Sequence, residues 1–514
     1  MAEESPRSLC RDFLSPALLA LVLAIVALWP GDVSWLLDEP RLIAAAWHAN
    51  HDGHIAVGGL YGNFGIRYGP LPTQIYQVLL LVTHDPFTLV ILRGLLCAGV
   101  CGCGLLWLGR SLGLPGWFAA AVLVSPYVVA YARVLWDASF AMPAGVLALA
   151  GFADFLRTGR AWPLRVAVLA GVLAPTIHPQ ALPLAVAILG WLGWQHRTAL
   201  WKDRRALCAA GLAVLLLNGF YFGQFAGQLC AHLTGSVQKG YPGGNSHAVT
   251  ALAPLLGGRL LCGANYLDNL ARPAAPEWLH AIAMAGAWLF YPLAWTGMIV
   301  AAHGMWRVFR TCQLPPAIPF TVTAREAVLG VVLIGLGLQA LLFGLLRIPA
   351  APQYFFGTFV LQVMAAWLGV NALRRWRLGA MLGALYATGS AVLTIEAAWS
   401  IHQHGYERPR WPTLASSVSV ARELNRFADT TARTDVAVYQ KSPQAVRTLR
   451  LLLPPTGANF PDTNGRLLIT NSGAARPGET TVLELEPSAS PPAGSEWIEI
   501  TPLPKDWVPD PSTW

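Results

Sequence analysis

The sequence contains very little charge for its length. Only 12% of its 514 residues are Asp, Glu, Lys or Arg, about half the share of an ordinary soluble domain. Hydrophobic residues make up 55% of the chain, and long runs of Leu, Ala and Val accompany 21 tryptophans. This composition excludes a disordered protein, a coiled coil and a protein that is soluble throughout its length. It indicates a polytopic helical membrane protein.

Cysteine pairs of the CxxC type are also missing. The eight cysteines are scattered, so the sequence shows no zinc or redox motif. Cys97, Cys101 and Cys103 lie in an apolar run among small residues, where we expect them to pack between helices. Cys230 and Cys262 share one predicted polar loop and are either free or joined by a disulfide.

Hydropathy predicts about eleven transmembrane helices. Several are shorter than the roughly 20 residues that a bilayer requires, so neighbouring turns must contribute. The first follows Arg7 and Arg11 as a signal peptide would, but it lacks a small-residue cleavage site, which favours an uncleaved anchor. The predicted spans are 14–30, 89–108, 115–130, 141–156, 164–177, 181–195, 206–223, 279–302, 326–346, 354–373 and 378–400.

Lysine and arginine are distributed unevenly between the predicted loops. With a cytoplasmic N-terminus, 16 of them fall in cytoplasmic segments and seven in outward ones, as the positive-inside rule requires. An odd number of spans then places the C-terminus outside. The net charge of +8 is therefore a signal of topology, and nucleic-acid binding has no support. We predict a multi-pass membrane protein.

The sequence changes character near residue 402. The following segment has no long apolar run, and its alternating patterns predict strands at 435–440, 466–471, 480–485 and 497–501. Helices are predicted at 413–430 and near 443–453. We therefore divide the chain into a transmembrane domain, residues 1–401, with an outward loop at 31–88, and a small α/β extracytoplasmic domain, residues 402–514. The second domain shows no catalytic motif.

Polar residues are concentrated in the outward loop that follows the first span. Asp38 and Glu39 precede Pro40, which suits the first turn of a helix lying along the membrane surface. The two carboxylates either cap this helix or act as a base or a metal ligand. His48 and His51, three residues apart, are compatible with metal binding or with a solvated helix face.

These motifs, in this order, resemble the GT-C glycosyltransferases. Within that superfamily the chain is similar to the branch of protein O-mannosyltransferases and aminoarabinose transferases, glycosyltransferase family 39. The similarity covers roughly residues 14–400, and Tyr68-Gly69-Pro70 stands where the family often has His-Pro-Pro. The matching runs are Asp38-Glu39-Pro40-Arg41, Asp52-Gly53-His54, Tyr68-Gly69-Pro70-Leu71-Pro72, His84-Asp85-Pro86-Phe87, Gly109-Arg110-Ser111-Leu112-Gly113, residues 131–137, and Arg347 with Pro352-Gln353-Tyr354-Phe355.

The resemblance implies transfer of a sugar from a polyprenyl-phosphate carrier to an acceptor on the outer side of the membrane. The distribution of the family implies that this membrane is a bacterial inner membrane. The phosphate leaves as a stable anion, so a single base is needed rather than the two carboxyl groups of a glycoside hydrolase. By position Asp38 is the predicted base, with inversion at the anomeric carbon. Glu39 is predicted to orient the acceptor or to support the loop.

A further set of residues is predicted to bind the donor phosphate or the substrate. For the arginines the alternative is ordinary snorkelling or a structural ion pair. Asp137 acts as a second acid or caps the next helix, and His178 contacts substrate or is a structural histidine between two spans. The set comprises Arg347, Tyr354, Gln353, Arg133, Asp137, His178, Arg67 and Tyr68.

The predicted partners are a polyprenyl-phosphate sugar, membrane lipids, and a glycan, lipid or protein acceptor. GT-C relatives differ in their use of metal. The protein therefore either requires a divalent cation, Mg²⁺ or Mn²⁺, or requires no cofactor. Two other functions compete with the enzyme: a lipid or sugar transporter or flippase, and a non-catalytic scaffold for envelope assembly. Few charges, notably Arg93 and Glu396, lie within spans, and no internal repeat is visible, which favours the enzyme over a transporter.

Overall fold

The computed structural model describes a chain that is mostly helical. Residues 19–27 form the first helical segment, and the helices that follow are labelled in chain order. The described residues are 19–35, 38–60, 67–233, 261–262, 273–312, 323–346, 352–406, 413–415, 418 and four strands near the C-terminus. The helices are α1 Asp38–His51, α2 Leu71–Leu80, α3 Pro86–Leu112, α4 Gly116–Leu123, α5 Pro126–Arg133, α6 Ala141–Thr158, α7 Ala161–Ile177, α8 Leu182–Gln195, α9 Arg197–Lys202, α10 Arg204–Leu233, α11 Glu277–Trp288, α12 Phe290–Cys312, α13 Ala324–Leu346, α14 Phe359–Ala372 and α15 Leu378–His404.

Capping residues explain where several of these helices begin and end. The side chain of Asp85 accepts a hydrogen bond from the backbone N–H of Thr88 at the start of α3, and Ser125 opens α5 in the same way. In both helices a proline occupies the first turn, where its missing N–H costs nothing. Gly113 and Gly159 end α3 and α6 with φ angles of 65° and 66°, the left-handed conformation that glycine adopts readily.

Within the described residues, six helical stretches are long and apolar enough to cross a membrane. A seventh span results if α4 and α5, which meet at an angle of 61°, are counted together. Two further apolar helices, α7 and α14, have 17 and 14 residues, so each falls short of the roughly 20 that a straight crossing needs. The predicted number of eleven spans therefore stays a prediction.

The helices α12 and α14 pack closely because glycines face the partner backbone. A Cβ atom on Gly297 would collide with the carbonyl oxygen of Ala365, and one on Gly369 would collide with that of Leu293. Small residues of this kind let transmembrane helices approach each other. This contact joins two helices of the main apolar core.

Replacing Gly297 with Ala is expected to destabilise the protein. The added methyl group overpacks the contact between α12 and α14, at a cost of about 1–3 kcal/mol. Gly337→Ala, in α13, is the matched control, because a Cβ there meets no atom within 4 Å and Ala favours the helix. Thermal unfolding in detergent should show a lower midpoint for Gly297→Ala alone; equal midpoints would contradict the close contact.

The C-terminal segment contains a four-stranded sheet. Its strands are β1 Asp435–Val438, β2 Arg466–Thr470, β3 Thr481–Leu485 and β4 Glu496–Glu499, which overlap the four predicted strand segments. Their order is β3-β2-β1-β4, with β1 parallel to β2 and the other pairs antiparallel. The helices predicted in this segment lie almost entirely outside the described residues, as does the side chain of Cys230. The α/β character of the domain and its boundary stay predictions.

The chain that leaves α15 is attached to the outward loop. Thr413 forms an isolated antiparallel bridge with Ser34, and the N–H of Leu414 donates a 2.9 Å hydrogen bond to the carbonyl oxygen of Val33. The hydroxyl of Tyr406 donates to the backbone oxygen of Asp32. The first and last parts of the helical domain thus meet just before α1.

Candidate functional site

Asp38 lies in the first turn of α1 and is half-buried. The indole N–H of Trp136 donates a hydrogen bond to its carboxylate, and the charge of Arg41 lies nearby. Burial raises the pKa of Asp38, while Arg41 and Trp136 act in the opposite direction. The carboxylate is therefore held in place by a neutral donor and is more basic than an exposed aspartate.

Asp137 lies close enough to Asp38 for the two carboxyl groups to interact. It is 1% exposed; one oxygen accepts a 2.7 Å hydrogen bond from the N–H of Ala138, and the other has no hydrogen-bond partner among the described residues. Burial and the charge of Asp38 raise the pKa of Asp137 to about 7. A protonated Asp137 beside an ionised Asp38 avoids a buried pair of like charges.

Arg93, in the second turn of α3, holds the segment that carries Trp136 and Asp137. Its side chain is fully buried and donates to the carbonyl oxygens of Tyr131, at 2.7 Å, and Ala132, and to the hydroxyl of Ser139. From the sequence Arg93 was only a charge within a span. That position is itself the signal, because a buried intramembrane charge requires partners and is often functional.

Glu39 lies directly after Asp38 but contacts a different part of the molecule. Its side chain is 4% exposed and accepts a 3.1 Å hydrogen bond from the hydroxyl of Ser34. Ser34 is the residue that pairs with Thr413. Of the two neighbouring carboxylates, Asp38 is thus the more accessible and Glu39 is bound to the base of the outward loop.

His178 is enclosed by two predicted site residues, and we call Tyr68, His178 and Tyr354 the His178 cluster. The ring centroids of Tyr68 and Tyr354 lie 5.3 Å and 6.0 Å from that of His178. A backbone hydrogen bond of 2.7 Å from Gly69 to Thr176 fixes the outward loop against the end of α7. Burial lowers the pKa of His178 to about 3, so the imidazole is neutral.

The segment around Tyr354 links the His178 cluster to the carboxylates. Two residues along the chain, the ring of Phe356 lies 5.9 Å from that of Trp136 and 4.8 Å from that of Tyr131. Trp136 in turn donates to Asp38. The structure therefore places predicted residues from four distant parts of the sequence around one region.

The predicted arginines are arranged differently. Arg133 donates to the carbonyl oxygens of Leu28 and Trp29, at 2.6 and 2.5 Å, and lines a cleft of about 410 Å³, part of it open, together with Asp32 and Tyr406. The Nε of Arg67 donates to the carbonyl oxygen of Gly59 at 2.9 Å. Arg347 and the side chain of Gln353 lie outside the described residues.

The carboxylates of this region fit a divalent cation only in part. Among the residues that the structure describes, no group of three or more His, Cys, Asp or Glu side chains could hold a metal ion. Mg²⁺ is often bound by one or two carboxylates together with substrate phosphates and water. Asp38 and, once it has lost its proton, Asp137 would supply such a pair, with the remaining ligands coming from a phosphate-bearing substrate.

The raised pKa of Asp137 predicts a pH-dependent stability. Between its ordinary value of 3.8 and about 7, the folded state retains a proton that the unfolded chain has lost, so stability falls as pH rises through this window. Asp137→Asn should reduce the decline, whereas Asp52→Asn, at an exposed position, should not. The midpoint of thermal unfolding is measured between pH 5 and 8. If it fell equally steeply with pH in Asp137→Asn and in the wild type, the raised pKa of Asp137 would be contradicted.

No family model and no curated protein matches the sequence. Among solved structures, the fold is similar to that of ArnT from Cupriavidus metallidurans, bound to undecaprenyl phosphate (TM-score 0.53, 15% identity) and in the apo state (0.53, 13%). Each comparison covers 91% of this chain and 97% of the other. Arabinosyltransferase EmbB from Mycobacterium smegmatis aligns over 90% of this chain and 46% of its own, with 14% identity and a TM-score of 0.37. ArnT is an aminoarabinose transferase of the GT-C class, so the predicted resemblance is confirmed at the level of the fold.

Proposed function

We propose that the protein is an integral membrane glycosyltransferase that moves a sugar from a polyprenyl-phosphate carrier to an acceptor at the extracytoplasmic face. The observation that supports this most directly is the half-buried Asp38 beside the buried Asp137 in a chain with the fold of ArnT. One basic and one neutral carboxyl group that interact electrostatically form an arrangement typical of acid–base sites. In ArnT, the bound molecule is undecaprenyl phosphate.

In the proposed reaction Asp38 is the general base. Its carboxylate takes the proton of the acceptor hydroxyl, and the acceptor oxygen forms a bond to the anomeric carbon from the side opposite the carrier. The bond between that carbon and the carrier phosphate oxygen breaks, and its electron pair leaves with the phosphate. A single displacement inverts the anomeric configuration. Burial keeps the pKa of Asp38 above that of an exposed aspartate, and a protonated Asp137 places no second negative charge beside it.

The carrier phosphate requires a cationic partner, and we assign this role to Arg347. In the sequence Arg347 directly follows α13, which ends at Leu346, on the side that the orientation places outward. Of the other two arginines, Arg133 contacts backbone carbonyls near Asp32 and Arg67 contacts that of Gly59. A guanidinium offers two parallel donors to a phosphate, which suits it better than an ammonium for this contact.

The proposed topology has a cytoplasmic N-terminus and an extracytoplasmic C-terminal domain in a bacterial inner membrane. The orientation follows from the Lys and Arg asymmetry of the sequence, and the bacterial inner membrane from the predicted family resemblance. The attachment of Thr413 and Leu414 to the outward loop requires the start of that domain to lie on the same side as Asp38. In a variant whose eight native cysteines are replaced, single cysteines introduced into the first ten residues and after residue 402 should react with a membrane-impermeant maleimide only in the second case.

The test of the function uses the full chain in proteoliposomes. Labelled polyprenyl-phosphate hexose, pentose or aminopentose is supplied with an envelope glycan and lipid extract, and formation of carrier phosphate and of labelled product is followed. We expect both products in equal amounts, with inverted anomeric configuration by NMR. Movement of intact lipid-linked sugar across the bilayer would indicate a flippase instead, and the absence of both processes a scaffold.

A further inference from the structure

His178 lies at a sharp break between two apolar helices. Its backbone N–H closes the last turn of α7 by donating to Ala174 at 3.0 Å, and Pro179 then starts a short 3₁₀-helix that leads into α8. The side chain leaves this turn and enters the space between Tyr68 and Tyr354, which come from the outward loop and from the segment before α14. Three separate parts of the chain thus form the His178 cluster.

Two buried polar atoms at this turn have no hydrogen-bond partner among the described residues. They are Nδ1 of His178 and Oε1 of Gln180, in side chains that belong to residues 1% and 7% exposed. Buried polar groups of folded proteins are almost always hydrogen-bonded, to protein, water or ligand. Two such atoms, in residues separated by one position, therefore indicate that a polar ligand or an ordered water supplies the missing hydrogen-bond partner.

The chemistry of the cluster favours a ligand with hydroxyl groups. Two tyrosine rings provide apolar faces, and the imidazole provides a hydrogen bond without carrying charge, since burial keeps His178 neutral. Pockets for small molecules combine apolar walls with a few well-placed polar groups in this way. A buried ammonium or carboxylate would instead need an opposite charge beside it, which neither His178 nor Gln180 supplies.

We propose that the His178 cluster is a subsite for an uncharged sugar ring, with His178 Nδ1 hydrogen-bonded to one ring hydroxyl. This inference rests on the proposed glycosyltransferase function and adds the class of sugar to it. The ring of Phe356, two residues after Tyr354, lies 5.9 Å from that of Trp136, which interacts with Asp38, so one series of side-chain contacts connects the cluster with the proposed base. His178 is thereby a specificity-determining residue.

The test measures binding to the full chain in nanodiscs with defined lipids. The probes are citronellyl phosphate and the same lipid phosphate carrying mannose, glucose, arabinose or 4-amino-4-deoxyarabinose, together with the methyl glycosides of these sugars. The quantity of interest is the ratio of the affinities with and without the sugar. His178→Phe keeps a flat ring between the tyrosines but has no nitrogen, and His178→Asn retains a hydrogen-bonding atom near the position of Nδ1.

In the wild type we expect an uncharged sugar to raise the affinity about tenfold or more over citronellyl phosphate. His178→Phe should reduce this ratio by about 5–10-fold, which corresponds to the loss of one hydrogen bond. Its affinity for citronellyl phosphate should not change. His178→Asn should largely restore the ratio. An effect confined to the methyl glycosides would assign the cluster to the acceptor sugar, and an effect on the lipid-linked sugars to the donor.

Two results would overturn the inference. One is an unchanged ratio in His178→Phe for every sugar, which would leave an ordered water as the partner of Nδ1. The other is tighter binding of the aminosugar lipid than of all uncharged ones. Failure of the wild type to bind any citronellyl phosphate would instead overturn the proposed function, and the inference with it. Equal unfolding midpoints for the three proteins exclude a loss of fold as the cause.

Discussion

Asp38→Asn is expected to lower the rate of sugar transfer by about 10²–10⁴-fold, the usual contribution of a general base. The amide is nearly the same size as the carboxylate but cannot accept the acceptor proton. The indole N–H of Trp136, which donates to Asp38, can still donate to the amide oxygen. The structure of the site and the binding of carrier lipid should therefore persist while the chemical step slows. Initial rates in proteoliposomes, at equal protein and saturating carrier, measure the change.

The matched control for this prediction is Asp52→Asn. Asp52 directly follows α1, the helix that begins with Asp38, but its side chain is exposed, so its charge should contribute little. Transfer by this variant should stay within about twofold of the wild type, since exposed substitutions away from special contacts have small effects. If Asp38→Asn kept more than a tenth of the wild-type rate, another group would have to be the base.

The sequence alone predicts the helix that starts at Asp38 but not the second carboxylate beside it. Pro40 and the apolar residues after it are a local signal, and α1 begins at Asp38 as they indicate. Asp137 is 99 positions further along, and its meeting with Asp38 depends on how α3, α5 and α6 pack. The sequence leaves Asp137 as a second acid or as the cap of the next helix. The structure shows the cap, because one oxygen accepts a hydrogen bond from the N–H of Ala138, and the acid role stays a prediction.

The number of spans shows the same limit of local patterns. Hydropathy treats 115–130 as one run, whereas the chain bends by 61° between α4 and α5. The signal for the break is Ser125-Pro126, because serine caps the next helix and proline disfavours a helical conformation in the residue before it. A window average does not register this pair. Conversely, the strands of the C-terminal segment follow from period-two alternation, which is a short-range property.

Arg93→Met is expected to cause the largest loss of stability among these variants. The guanidinium satisfies the carbonyl oxygens of Tyr131 and Ala132 and the hydroxyl of Ser139 in a fully buried position. Methionine fills part of the volume but donates no hydrogen bond, so these acceptors lose their partner. Each buried unsatisfied group costs about 1–3 kcal/mol, and we expect a total loss of about 3–5 kcal/mol in the free energy of unfolding.

The same substitution should slow transfer, because Arg93 fixes the segment that carries Trp136 and Asp137 and so acts on Asp38 through them. Arg93→Lys tests whether the positive charge alone is sufficient. One ammonium group cannot reach all the acceptors that the planar guanidinium of arginine spans. The transfer rate of this variant should therefore stay low although the charge is kept. Arg165→Met is the matched control, since Arg165 forms an exposed ion pair with Asp203, a kind of contact worth about 0–1 kcal/mol. Thermal unfolding and transfer rates are compared for the three variants. If Arg93→Met had the unfolding midpoint and the transfer rate of the wild type, the segment that carries Trp136 and Asp137 would keep its structure without Arg93.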